Sequence, residues 1–178
     1  GGVFRATAGL HARFGSERIL DTPLDETTIA GLAVGMAFQG MKPVAEAQFD
    51  GFIYPMFDHI ICHAARMRTR TRGRLHCPMV LRAPWGGGIR APEHHSEAPE
   101  ALFAHIPGLR VVIPSSPARA YGLLLAAIRD PDPVIFFEHK VLYNAKGPVP
   151  EGEYIIPLGK ADIKRAGTDL TIIAVGRM

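Results

Sequence analysis

Short apolar runs recur along the chain and alternate with longer stretches of helical character. The clearest runs are rich in β-branched and aromatic residues and are apolar at consecutive positions, as in a parallel sheet covered on both faces. The 19 glycines and 15 prolines indicate many tight turns between short elements. The predicted strands comprise residues 42–47, 78–82, 109–114, 133–138 and 170–175.

Two stretches between these runs predict helices. Residues 27–38 are rich in small side chains, and Gly31 and Gly35 fall four positions apart, on one helical face where they permit close backbone packing. Residues 54–68 have an amphipathic pattern, with Pro55 in the first turn where proline is tolerated.

A third helix is expected from residue 117 to about residue 129, with Ser116 as its N-cap. Strands that alternate with helices predict an α/β fold, with a doubly wound, mostly parallel sheet and helices on both faces. The sequence GPVPEG at residues 147–152 is typical of a linker.

Composition narrows the class of protein. The 178 residues are 47% hydrophobic and 21% charged, which suits one folded domain and excludes a disordered chain. No apolar run reaches the roughly 18 residues of a membrane span. Two cysteines cannot form a disulfide framework, so a reducing compartment is expected. A net charge of +3, with no aromatic residues among the arginines of residues 66–74, does not indicate nucleic-acid binding.

Two places carry candidate chemistry. Glu26 follows Asp25 at a turn into an apolar helix, where the pair either caps the helix or directs a carboxylate into a cleft at the sheet edge. His94 and His95 follow the glycine-rich loop at residues 85–88, which is either a flexible surface loop or part of a site with a functional imidazole. Their spacing matches no zinc motif, and the glycines match neither a Walker loop nor a dinucleotide fingerprint.

Six stretches in the same order resemble the beta subunit of the decarboxylating component of 2-oxo acid dehydrogenase complexes, of the pyruvate and branched-chain type. The match covers nearly the whole of this chain and only part of the family's chain. The stretches are GGVFRAT (1–7), DTPLDE (21–26), GMAFQGMKPVAEAQF (35–49), RAPWGGG (82–88), HHSEAPEALFAHIPGLRVVIPSSP (94–117) and DPDPVIFFEHKVLY (130–143).

The resemblance implies thiamine diphosphate as cofactor, shared with an alpha subunit that holds the diphosphate and its magnesium ion. Glu26 matches the glutamate that hydrogen-bonds the aminopyrimidine and favours the tautomer that removes the thiazolium proton. Leu24 and Gln48 match positions that line the pyrimidine pocket, and Phe52 stands where some members have tyrosine. His95 matches the histidine that assists acyl transfer to lipoyl-lysine, with His94 as the weaker candidate.

The resemblance also implies a structural cation, monovalent or divalent, bound mainly by carbonyl oxygens of the loop that contains Ala127, Asp130 and Asp132. Residues 1–150 match the pyrimidine-binding domain without its N-terminal part. Residues 151–178 match a linker and the first strand of a C-terminal domain that is absent here.

The expected activity is oxidative decarboxylation of a 2-oxo acid with acyl transfer to lipoyl-lysine. The expected partners are an alpha subunit in an α2β2 heterotetramer and a lipoyl-bearing acyltransferase core, with neither nucleic acid nor a membrane. The location would be the bacterial cytoplasm or, in a eukaryote, the mitochondrial matrix. Two alternatives stay open: another thiamine-dependent enzyme, transketolase-like or an acetoin dehydrogenase, and a non-catalytic interaction module.

Overall fold

A computed structural model describes residues 2–178, and its centre is a four-stranded parallel sheet in the order β1-β2-β4-β3. The strands are β1 (Val44–Glu46), β2 (Val80–Trp85), β3 (Arg110–Val112) and β4 (Val134–His139). The α-helices are α1 (Leu10–Phe14), α2 (Glu26–Phe38), α3 (Met67–Arg70), α4 (Glu100–Ala104) and α5 (Pro117–Arg129). Tighter or wider turns form 3₁₀ helices at Asp50–Met56, Glu93–His95 and Lys140–Asn144, and a π helix at Asp58–Ala64.

The sheet separates two apolar clusters, because successive side chains on a strand point to opposite faces. Leu81 and Ile135 pack on one face with α2, the π helix and α4. Val80 and Val134 pack on the other face with α5. Helices therefore cover both faces, and the predicted α/β fold with a doubly wound parallel sheet is confirmed.

Both predicted N-caps form. The Thr28 amide donates to the Asp25 carboxylate at 3.3 Å, and the Arg119 amide donates to the Ser116 hydroxyl at 3.4 Å. Each bond satisfies an amide that the first helical turn leaves without an internal partner. Helix α2 consequently begins at Glu26, which fixes the position of this carboxylate relative to the sheet.

The single helix predicted over residues 54–68 is wrong. Pro55 lies inside a 3₁₀ helix, because proline has no amide proton to complete an α-helical turn. The chain then widens into the π helix, where the Ala65 amide donates to the Ile60 carbonyl at 2.9 Å, five residues earlier. Apolar periodicity does not separate these geometries, because the span of their hydrogen bonds differs by only one residue from each type of helix to the next.

The strand predicted at residues 170–175 is also wrong for this chain, because the segment has no neighbouring strand to pair with and forms none. Ile172 and Ile173 are 81% and 87% exposed. Residues 151–178 contain neither helix nor strand, although the Ile156 amide donates to Gly122 of α5 at 3.2 Å. The domain boundary near residue 150 stays a prediction. Within residues 2–178, no helix has the length and apolar character to cross a membrane.

Candidate functional site

The loops that follow three adjacent strands are joined by a buried ion pair. The Lys140 ammonium donates to the Asp50 carboxylate at 2.8 Å and to the Gly86 carbonyl at 2.9 Å. The Gly86 amide in turn donates to the second Asp50 oxygen at 3.1 Å. Asp50 follows β1, Gly86 follows β2 and Lys140 follows β4, so these contacts fix the loops at the carboxyl edge of the sheet, where open α/β folds bind ligands.

Burial dominates the electrostatics of this pair. It raises the pKa of Asp50 and lowers the pKa of Lys140, while their mutual hydrogen bond acts in the opposite direction on both groups. Both side chains are fully buried. Since neither charge reaches solvent, each depends on the other and on the Gly86 backbone for compensation.

An aromatic cluster lies beside the buried pair. The His95 ring makes edge contacts with Phe49 and Phe52, with centroid distances of 4.3 and 5.5 Å. Gly51 permits this arrangement, because a Cβ atom at that position would lie 2.2 Å from the His94 carbonyl oxygen. The backbones of two 3₁₀ helices thus approach closely and bring Phe52 to His95. The sequence analysis had assigned these two residues separately, with no indication that they would be in contact.

The two histidines of this loop differ in their surroundings. Within residues 2–178, the Nδ1 atom of His95 is buried and has no hydrogen-bond partner. His94 is exposed, and its Nδ1 atom lies 3.5 Å from the Glu93 carboxylate. A buried polar atom without a partner is costly unless a ligand or water satisfies it. The geometry therefore favours His95 over His94 as the histidine that faces a ligand.

Glu26 is the first residue of α2 and is half-buried. Its carboxylate makes no hydrogen bond or ion pair with the other described residues, whereas Asp25 beside it is occupied as the cap. Hydrogen bonds from Thr28 lower the pKa of Asp25. The sequence left two roles open for this acidic pair, and each residue takes one of them. Asp25 caps the helix, and Glu26 is available for a ligand.

The other residues predicted to line the pocket lie around the carboxyl edge of the sheet, but their side chains do not meet at one point. The Thr27 hydroxyl donates to the Pro55 carbonyl at 3.4 Å, which ties the start of α2 to the 3₁₀ helix that contains Phe52. Gln48 is half-buried between β1 and that helix. Leu24 is 79% exposed on the turn before α2, and no described contact joins it to the aromatic cluster.

The predicted cation loop is held by arginines. Ala127 is buried in the last turn of α5, and Asp130 follows that helix as its C-cap. The Asp130 carboxylate pairs with Arg110 at 3.0 Å, and the Asp132 carboxylate pairs with Arg68 at 2.7 Å. Since both carboxylates are engaged, a cation here would rest on carbonyl oxygens, and the site stays a prediction.

Besides the Asp50–Lys140 pair, a buried charge lies on β2, and sequence reasoning missed it. Arg82 donates to Glu138 at 2.6 Å and to Glu46 at 3.3 Å, and Tyr143 donates to the same Glu138 carboxylate at 2.8 Å. Burial, followed by the Glu138 carboxylate, raises the pKa of Tyr143. The available signal was a charged residue inside an otherwise apolar strand, since such residues are rarely buried without partners.

Comparisons with known proteins agree with this geometry. The family model described as "Transketolase, pyrimidine binding domain" matches residues 1–146. The pyruvate dehydrogenase E1 component subunit beta of Acholeplasma laidlawii is 60% identical over 177 residues, and the 2-oxoisovalerate dehydrogenase subunit beta of Bacillus subtilis is 54% identical over 177 residues. In both alignments 99% of this chain matches 54% of the relative, so the chain spans about half of their length.

A solved structure supports the fold alone. A split-gene transketolase in an inactive beta4 tetramer aligns with a TM-score of 0.61 at 20% identity, over 75% of this chain and 41% of that chain. The alignment supports the overall fold described above. Because the family model covers most of the chain and its boundaries enclose Glu26, the aromatic cluster and the buried pair, this chain belongs to the family of transketolase pyrimidine-binding domains.

Proposed function

We propose that the chain is the pyrimidine-binding part of a 2-oxo acid dehydrogenase beta subunit, which acts with an alpha subunit and thiamine diphosphate. One observation carries the proposal: among residues 2–178, the half-buried Glu26 carboxylate and the buried Nδ1 atom of His95 have no partner, and both residues lie near the carboxyl edge of the sheet. The names of the two relatives support this assignment over a transketolase activity. The expected compartment is the bacterial cytoplasm or, in a eukaryote, the mitochondrial matrix.

The residues present fit the pyrimidine half of the cofactor. Glu26 would hydrogen-bond a ring nitrogen and hold a proton there, because its carboxyl group has no competing partner within residues 2–178. The Phe52 ring would pack on the pyrimidine, and Gln48 and the exposed Leu24 would approach it from the flanking turns. When bound, thiamine diphosphate supplies the thiazolium that serves as electron sink for decarboxylation. The alpha subunit would hold its diphosphate and magnesium.

His95 would act in the transfer of the acyl group to lipoyl-lysine. Its ring is fixed by Phe49 and Phe52, so the orientation of the imidazole does not depend on substrate. A positioned imidazole could protonate the sulfur that is released when the lipoyl disulfide bond breaks, while the other sulfur bonds to the acyl carbon. The lipoyl group would arrive on an acyltransferase core, and pyruvate, branched-chain 2-oxo acids and acetoin all stay candidate substrates.

A chimera tests the proposal. This chain would replace the matching half of the Acholeplasma laidlawii relative, and the product would be co-produced with that organism's alpha subunit. Decarboxylation of pyruvate and of 2-oxoisovalerate would be followed with an artificial electron acceptor. We expect activity that needs both subunits, and a loss of roughly 100-fold or more in Glu26→Gln, as for a positioned acid–base group.

Asp25→Asn is the matched control, because asparagine caps a helix as well as aspartate does. It removes the neighbouring negative charge and retains the helix start, so it should keep most of the activity. Equal losses in Glu26→Gln and Asp25→Asn would contradict the role of Glu26. A folded chimera that assembles with the alpha subunit yet decarboxylates neither acid would favour the interaction-module alternative.

A further inference from the structure

Three potential metal ligands lie on one side of the π helix Asp58–Ala64, away from the residues assigned above. They are Asp58, His59 and His63, and one ligand atom from each lies within 4.8 Å of the other two. The histidine rings face each other at a centroid distance of 6.0 Å, with their planes 33° apart. Two imidazoles and a carboxylate at this spacing form a recognised donor set for divalent transition metals.

The π geometry explains why all three donors share one side of the helix. In an α-helix, residues four apart are neighbours, which would bring His63 to His59 alone. A π turn bonds residues five apart and therefore brings His63 beside Asp58 as well. Such widened turns are rare in proteins, and many of those that do occur lie at functional sites.

The three side chains are free to coordinate an ion. None of them makes a hydrogen bond or ion pair within residues 2–178, and Asp58 is exposed while both histidines are half-buried. Helix α2 supports the back of the site, since a Cβ at Gly31 would lie 3.2 Å from the His59 Nε2 atom. The site is thus backed by protein on one side and open to solvent on the other.

We propose that Asp58, His59 and His63 bind a divalent transition ion of the zinc type, with water completing its coordination. Imidazole ligands select such ions over magnesium and calcium, which prefer all-oxygen sites. Tetrahedral zinc with bonds of about 2.0–2.1 Å needs its donor atoms closer to one another than the 4.8 Å within which these three lie. Small side-chain rotations supply this closure, because no existing bond restrains the three groups.

Metal binding would be measured on the full chain after dialysis against chelator. Zinc would be titrated by calorimetry, and cobalt by its visible absorption, which reports coordination directly. We expect one strong site per chain, with zinc displacing cobalt. His59→Gln, His63→Gln and Asp58→Asn should each weaken binding by more than the roughly 10–100-fold that loss of an outer-shell partner costs.

The chain has eight histidines, so the variants need histidine controls. His105→Gln, at the exposed end of α4, removes a histidine outside the cluster and should leave both titrations unchanged. His94→Gln tests the other histidine pair in the same way. Retention of cobalt absorption in His59→Gln, or its loss in His94→Gln, would overturn the proposal, as would the absence of a strong site in the unmodified chain.

Circular dichroism and the urea midpoint would accompany each titration. The glutamine and asparagine replacements preserve side-chain size at exposed or half-buried positions, so the variants should fold like the unmodified chain. Added zinc should raise the midpoint of the unmodified chain and of the two control variants, His105→Gln and His94→Gln, and of no other variant. The same zinc-dependent increase in Asp58→Asn and His63→Gln would mean that the ion binds elsewhere, which contradicts the assignment.

Discussion

Lys140→Met should be among the most destabilising single changes in the chain, although Lys140 lies at the end of the sheet. Among residues 2–178, it removes the only cation within hydrogen-bond distance of the fully buried Asp50 carboxylate. It also takes away the ammonium donor that the Gly86 carbonyl has at 2.9 Å. The methionine chain fills much of the space of the lysine stem, so the loss reports on charge rather than on a cavity.

The magnitude follows from the burial of the pair. Removing one partner of a buried ion pair costs about 3–5 kcal/mol, because the other charge is left uncompensated. A domain has only about 5–15 kcal/mol of stability in total, so the effect is a large share of it. With a slope of about 2 kcal/mol per molar urea, the unfolding midpoint should fall by roughly 1.5–2.5 M.

A double-mutant cycle separates the pair from its surroundings. Asp50→Asn keeps the shape of the side chain and an oxygen for the Gly86 amide, which also donates to the Glu97 backbone carbonyl at 2.9 Å. The double variant Asp50→Asn, Lys140→Met leaves no unpaired charge and should be more stable than Lys140→Met alone. Additive losses within about 0.5 kcal/mol would refute the reasoning, because uncoupled sites behave in that way.

Three further outcomes are expected. His95→Ala in the chimera should reduce acylation of a lipoyl domain more than reduction of an artificial acceptor, with His94→Ala milder in both assays; equal losses in the two assays would remove the transfer role. Ellman's reagent should label the exposed Cys62 in the folded chain and Cys77 only after unfolding, because burial raises the pKa of the Cys77 thiol to about 12; rapid labelling of both would contradict this. Gly35→Ala, with open space around the new Cβ, should stabilise the chain by roughly 0.5–1 kcal/mol, whereas Gly51→Ala should destabilise it and disturb the His95 ring; similar urea midpoints for both would be inconsistent with the geometry.

The sheet and its covering helices were largely predictable, because buried strands and helices require apolar residues at regular positions in the sequence. The runs at residues 78–82 and 133–138 are apolar at consecutive positions, and they became the central strands β2 and β4. Asp25 and Ser116 were predicted as N-caps, because short polar side chains before an apolar helix have one common use.

The failures have physical causes of two kinds. The π helix at Asp58–Ala64 escaped prediction, because a widened turn differs from an α turn by one residue and both keep an amphipathic pattern. The strand predicted at residues 170–175 had the right composition, but a strand forms only against a neighbour, and this chain offers none there.

The site was predictable only through its motifs. The local pattern made Glu26, His94 and His95 candidates, and the resemblance to a known family assigned their roles. Neither the spacing nor the composition indicated how they would lie relative to one another in the fold. The contacts that hold the site together span long stretches of chain, with Asp50 and Lys140 separated by 90 positions. Local pattern carries no information on such a pairing, except that a charged residue adjoins an apolar strand.

The same ion pair determines how the stability lost in Lys140→Met should change with pH. Burial already raises the pKa of Asp50 despite the lowering effect of Lys140, so Lys140→Met should raise it further. A carboxyl group whose folded pKa exceeds its unfolded value, about 3.9, stabilises the fold below that unfolded value and loses this contribution as pH rises through the folded pKa. The penalty of Lys140→Met should therefore be full near pH 7 and shrink as pH falls.

The penalty is measured by urea unfolding of Lys140→Met and of the unmodified chain at several pH values between about 4.5 and 7.5. The contributions of carboxylates that both chains share cancel in the difference between their free energies of unfolding. The double variant Asp50→Asn, Lys140→Met has no carboxyl group at position 50, so its difference from the unmodified chain should vary less with pH. A penalty for Lys140→Met that stays constant over this range would mean that Asp50 remains ionised without its lysine. The Gly86 amide would then be enough to hold the charge, or the carboxylate would have to reach water, which its complete burial in the folded chain does not allow.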